Sequence, residues 1–138
     1  LVSGQEVDDE RKSIDILMTK LRKLVEQTKV GMLLVSHLRR PSGDRDFNNG
    51  REVSLGHLRG SASIAQLSDS VIALERDQQA DDPSLANVVK VRILKNRYCG
   101  TLGVACHLFY NKESGRIKQI QNPYSQTNDL SSTFDQAF

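Results

Sequence analysis

The chain has 138 residues, 38% apolar and 26% charged, with 19 Lys and Arg against 17 Asp and Glu for a formal charge of +2. At about 150 residues per domain, this predicts one globular core. The near balance of charge excludes a histone-like basic protein and a wholly disordered acidic one. No apolar run approaches the roughly 18 residues that cross a bilayer, and the N-terminus lacks the charged-then-apolar pattern of a signal peptide, so no membrane partner and a cytoplasmic location are expected. Two cysteines, Cys99 and Cys106, fit a reducing compartment. With His107 they match no zinc template, and no metal site is expected.

The first residue is Leu1 rather than Met, and Leu1-Val2-Ser3-Gly4 reads as the end of a strand, so a portion of a longer chain is expected. From Asp9 to Thr28, Ile14, Leu17, Met18, Leu21, Leu24 and Val25 fall at steps of three and four, which predicts an amphipathic helix of about five turns, started by Asp8 or Asp9. The continuous apolar run Gly31 to Ser36, ending at His37, predicts a strand buried on both faces, beside Leu1-Val2-Ser3 in a parallel sheet. Residues 38–53 form a polar loop carrying Arg39, Arg40, Arg45 and Arg51, punctuated by Pro41, Gly43 and Gly50.

A short helix is expected around Ser61 to Leu67, then a strand from Ser70 to Glu75, a polar loop from Asp77 to Ala86, and a strand within Asn87 to Arg97. Gly100 and Gly103 mark the turn of an antiparallel hairpin returning along Val104 to Tyr110, and a further turn leads to a short edge strand near Ile117. From Gln119 onward there is no Lys or Arg, and the composition predicts a mobile tail. The order β-α-β followed by β strands argues for an α/β sheet with an antiparallel extension.

Three groups of residues can carry chemistry. His37 ends the expected parallel strand, where ligands of α/β sheets gather; it either contacts a phosphate or marks where the strand meets water. Arg59-Gly60-Ser61 precedes a short helix whose backbone N–H groups suit a phosphate, although an ordinary helix cap has the same sequence. Lys95 and Arg97 lie two apart on an expected strand, so they would leave one face about 7 Å apart and could converge on a triphosphate. On spacing alone a charged sheet edge, protected from aggregation, accounts for them better, and Lys90 and Arg92 continue the polar row, which weakens the case that these two positions are special.

These segments together resemble a known family. Ser36-His37-Leu38-Arg39, the stretch Leu58-Arg59-Gly60-Ser61-Ala62-Ser63-Ile64-Ala65-Gln66-Leu67-Ser68-Asp69, Ile72-Ala73-Leu74-Glu75-Arg76, Lys95-Asn96-Arg97 and Tyr110-Asn111-Lys112 are similar to the C-terminal half of hexameric replicative helicases with RecA-like cores. These include bacterial DnaB, mitochondrial Twinkle and, most of all, the helicase half of the primase–helicases of short-tailed phages. The likeness runs from about residue 9 to 118. It implies a partial RecA-like P-loop NTPase core over 1–118, a parallel sheet with flanking helices and C-terminal antiparallel strands, followed by a flexible tail over 119–138.

The resemblance also implies roles. His37 would sense the γ-phosphate, and Arg97, with Lys95, would be the arginine finger that enters a neighbouring subunit's nucleotide site. Arg76 and Tyr110 would surround the nucleotide base. Arg39, Arg40, Arg45, Arg59, Gly60, Ser61 and Gln66 would contact single-stranded DNA in the channel of a hexameric ring. In the full-length protein the cofactors would be ATP or dTTP with magnesium. This chain alone would hold none and hydrolyse nothing, because it contains no Gly-x-x-x-x-Gly-Lys-Ser/Thr loop and no magnesium-binding Asp at the end of an apolar strand. If phage-encoded, it would act in the bacterial host cytoplasm.

The phage relatives dock on the replicative DNA polymerase through an acidic tail with a terminal aromatic residue, a role that would fall to Phe138 here. Two departures stand out: His57 replaces an acid before Leu-Arg, and Ala62 replaces a glycine. Outside the helicase reading stand a non-catalytic module for single-stranded DNA and a fragment of a RecA-like recombinase or signalling ATPase.

Overall fold

The computed structural model describes residues 2–39, 47, 50–59 and 62–124. Contacts divide them into two compact units, one built from residues up to 39 together with 54–69, the other from 47, 50–53 and 70–124.

The first unit is built on helix α1, Val2–Thr28, of 27 residues. It begins seven residues before the expected start, so Asp8 and Asp9 lie inside it, and the strand expected at Leu1-Val2-Ser3 is replaced from Val2 onward by helix. Gln5 and Glu6 are good helix formers, and nothing between them and Asp9 breaks the hydrogen-bond ladder. The helix buries Met18 and half-buries Ile14, Leu21 and Val25, a stripe at steps of four, three and four. It ends at Lys29, whose φ of 58° is left-handed and whose N–H still reaches the Val25 carbonyl at 2.9 Å. A short helix α2, Ala62–Leu67, packs on α1. Arg22 fastens the pair, donating to Asp69 just past α2 and to Glu26 on its own helix, each at 2.8 Å.

The strand expected over 31–36 is not formed. The stretch from Val30 to Val35 is exposed, Leu33 by 90% and Val35 by 84%, and its first pairing is a single antiparallel bridge between Leu38 and Leu58. A strand of a parallel sheet needs neighbours to take its N–H and C=O groups. The expected neighbour is helical, and no other described strand lies beside it.

The second unit is a four-stranded antiparallel sheet in the order β1-β2-β3-β4. The strands are β1 Ser70–Arg76, β2 Val88–Asn96, β3 Gly103–Tyr110 and β4 Ile117–Ile120, close to the expected positions. Strand β4 and a following turn to Tyr124 carry the described structure past Gln119, where composition set the start of a tail; residues 125–138 lie outside the described residues.

The register sorts the side chains onto two faces. One carries Ile72, Leu74, Val89, Val91, Leu108 and Tyr110 and is apolar, with Leu74 68% exposed. The other carries Ala73, Glu75, Val88, Lys90, Arg92, His107 and Phe109. Its core is Val88 and Phe109, covered by Leu85 and Ile120.

Candidate nucleic-acid and nucleotide interface

In the first unit, the bridge between Leu38 and Leu58 is flanked by two backbone bonds, Arg39 N–H to the His57 carbonyl at 2.7 Å and Arg59 N–H to the His37 carbonyl at 3.1 Å. Three expected site residues, His37, Arg39 and Arg59, thereby share one short ladder, and all three are exposed. The ladder is set by the turn before it. Ser54 starts a 3-10 turn over Leu55–His57, and its N–H donates to the His57 Nδ1 at 3.0 Å. The ring nitrogen does what a Glu carboxylate does in a Ser-x-x-Glu capping box, so His57 can replace an acid here without loss of the cap. Nδ1 accepts only when the proton sits on Nε2.

Gln66 is exposed on α2, which at six residues is less than two turns long. Arg40, Arg45, Gly60, Ser61 and Phe138 lie outside the described residues.

In the second unit the expected site residues separate into two groups. Arg76 ends β1 and Tyr110 ends β3, at the same end of the sheet and on its apolar face, with Val89 and Leu108 between them. The two strands are two spacings apart, about 10 Å, with an apolar floor between a guanidinium and a phenol. Such a floor fits the flat base of a nucleotide, whereas phosphates would need donors from elsewhere. Arg76 is held by its own loop: Nε donates to the Ala86 carbonyl at 2.7 Å and Nη2 to the Asn87 Oδ1 at 3.1 Å.

Lys95 and Arg97 lie at the opposite end. They do not share a face by simple alternation, because β2 stops at Asn96 and Arg97 opens the turn before Gly100. A bulge lies just before Lys95: Ile72 pairs with Ile93 but Val71 pairs with Lys95, so Leu94 is extra. The bulge turns Lys95 onto the face that carries Lys90 and Arg92. The polar row read along β2 is therefore real, although strict alternation would have broken it.

Sequence reasoning missed the centre of that face. Glu75 is buried, and its Oε1 accepts the Arg92 Nε–H at 3.0 Å and the Val53 N–H at 2.8 Å, while Oε2 lies 3.4 Å from the Lys90 Nζ. Glu52 also bonds to Arg92. Burial works against the charge of Arg92, but the bonds and field of Glu75, helped by Glu52, outweigh it and raise its pKa. His107, which had no expected placement, is buried beside Lys90, with its ring 5.8 Å from that of Tyr124. A Glu inside an apolar strand opposite two cations at alternate positions was the available signal.

A family model described as DnaB-like helicase C terminal domain matches residues 1–119. The chain is 47% identical over 118 residues to a DNA helicase/primase of Enterobacteria phage T3, an overlap of 86% of this chain and 20% of that relative. It thus spans about a fifth of the length of the curated relative it matches.

Proposed function

The chain belongs to the DnaB-like helicase C-terminal domain family, and from that premise we propose that it is the C-terminal part of a replicative helicase. In this reading a ring of subunits with RecA-like cores translocates on single-stranded DNA and opens the duplex. The observation that carries the reading is the ladder joining His37, Arg39 and Arg59. One backbone hydrogen bond ties His37, suited to sensing a phosphate, to Arg59, and Arg39, two residues along the chain from His37, is held on the same ladder by the His57 carbonyl, so that both arginines suit a DNA backbone. A change at His37 would reach Arg59 without an intervening side chain. Arg40, Arg45, Gly60, Ser61 and Gln66 complete the DNA contact.

Arg76 and Tyr110 hold the base of ATP or dTTP. The nucleotide, with magnesium, supplies the phosphoryl group transferred to water, and the phosphate-binding loop comes from the rest of the longer protein. Lys95 and Arg97 serve a neighbouring subunit. The sheet fits this division, since a finger used in trans belongs far from its own subunit's base site. The tail, ending in Phe138, is proposed to dock on the replicative polymerase.

Two measurements test the reading. In the full-length protein, Arg97→Ala lowers nucleotide hydrolysis by about 10³–10⁵; a loss below about tenfold returns Arg97 to the role of a charged sheet edge. The 138-residue chain alone hydrolyses nothing at a useful rate, and magnesium-dependent hydrolysis by the pure chain overturns the assignment.

A further inference from the structure

We propose that Glu75 is a positioning residue that couples the basic loop to nucleotide hydrolysis by pinning the loop's C-terminal end to the middle of the sheet; the inference rests on the function proposed above. The Glu75 side chain is 4% exposed, with Arg92 and Lys90 as its ionic partners. Its remaining bond goes to a backbone group of the loop end, the Val53 N–H. Glu52, the residue before, reaches over the same two cations from outside, bonded to Arg92 and 3.9 Å from the Lys90 Nζ. The loop end is thus fastened twice, by main chain to β1 and by side chain to β2.

A third contact lies two residues earlier. Gly50 has a φ of 72°, the left-handed region that favours glycine, and its backbone stands close to the carboxylate of Asp77 just past β1, where a Cβ built on it would lie 2.9 Å from Oδ2.

Stability alone does not explain a buried carboxylate with two cations, because well-packed apolar side chains serve at least as well. What charges add is register: if the loop end shifts by one residue, Glu75 loses its N–H donor and Arg92 its outer carboxylate, and both are left undercompensated. The loop end and the two strands therefore move as one body. Those strands carry the proposed chemistry, since Glu75 is followed directly by Arg76, and β2 runs from Lys90 and Arg92 to Lys95 and the turn at Arg97. A pull on the loop by DNA is transmitted through Glu75 to the base site on β1 and to the finger end of β2.

The test uses the full-length protein and measures nucleotide hydrolysis with and without single-stranded DNA, together with nucleotide affinity. Glu75→Gln is expected to leave DNA-free hydrolysis and nucleotide affinity unchanged and to lose about tenfold of the stimulation by DNA. Amide exchange in the peptide containing Val53 should rise in the same variant. Glu52 is 66% exposed, so Glu52→Gln carries no folding risk and should show a smaller loss of stimulation in the same direction. Unchanged stimulation in both variants, or equal proportional loss with and without DNA, overturns the proposal. Should Glu75→Gln fail to fold, Glu52→Gln decides by the same criterion. A wild-type protein whose hydrolysis ignores DNA would instead overturn the helicase reading itself.

Discussion

At the scale of single residues, the pair His107 and Tyr124 makes the sheet sensitive to pH. His107 is 6% exposed, and burial, with the neighbouring Lys90 charge, lowers its pKa. Burial, with the charge of Asp77, raises that of Tyr124, so the phenol stays neutral over the range in which His107 titrates. Because the unfolded imidazole binds a proton near pH 6.5 and the folded one resists it, the unfolded chain holds more protons below that value. Stability from this site is therefore complete above about pH 6.5 and is lost as pH falls through the lowered folded value. The expected outcome is a melting temperature that drops more between about pH 7.5 and pH 5.5 in wild type than in His107→Phe, which keeps a ring against Tyr124. Equal drops in the two proteins would remove His107 as the cause. None of this was legible in the sequence, where His107 is one polar residue in a strand, and its burial depends on a segment seventeen positions later folding back over it.

Among the elements, strands β1 to β4 and helix α2 were legible because each carries its own local signal: β-branched runs bounded by glycine turns, or a short apolar period before a polar break. Length and partnership were not legible. Helix α1 ran past Asp9 because propensity, not a cap, decides where an uninterrupted helix starts. The run from Val30 to Val35 has the composition of a buried strand but no strand to join among the described residues, and a strand's state is settled by its neighbours.

That contrast gives a prediction whose sign depends on context. Six consecutive uncharged residues, largely exposed, form a sticky segment. In the 138-residue chain, Leu33→Lys combined with Val35→Lys should reduce concentration-dependent association in sedimentation velocity. If the longer protein supplies a strand for this segment to pair with, the same change made there places two charges in a core and should abolish soluble expression or assembly. Equal tolerance in both contexts would mean that the segment never enters a sheet.

At the scale of the whole molecule, the decisive fact is the distance between the two groups of proposed nucleotide residues. Arg76 pairs with Val89, and Lys95 lies six residues further along the same strand, about 20 Å away at about 3.3 Å per residue. One nucleotide, with reacting groups within a few ångströms of each other, is not served by Arg76 and Arg97 of one subunit across that span. A head-to-tail ring resolves the difficulty, because every interface then combines one subunit's base site with its neighbour's finger. If so, defects at the two ends must complement. Rings of Arg76→Ala subunits alone, or of Arg97→Ala subunits alone, contain no intact site. Mixed rings contain one wherever an Arg97→Ala subunit, with its base site intact, receives the finger of an Arg76→Ala neighbour. Random equal mixing makes that arrangement about one interface in four, so hydrolysis should recover to roughly a quarter of wild type if interfaces act independently, and to less if they fire in sequence. A mixture no more active than the average of its two components would place both arginines in one site and require the sheet to be read differently.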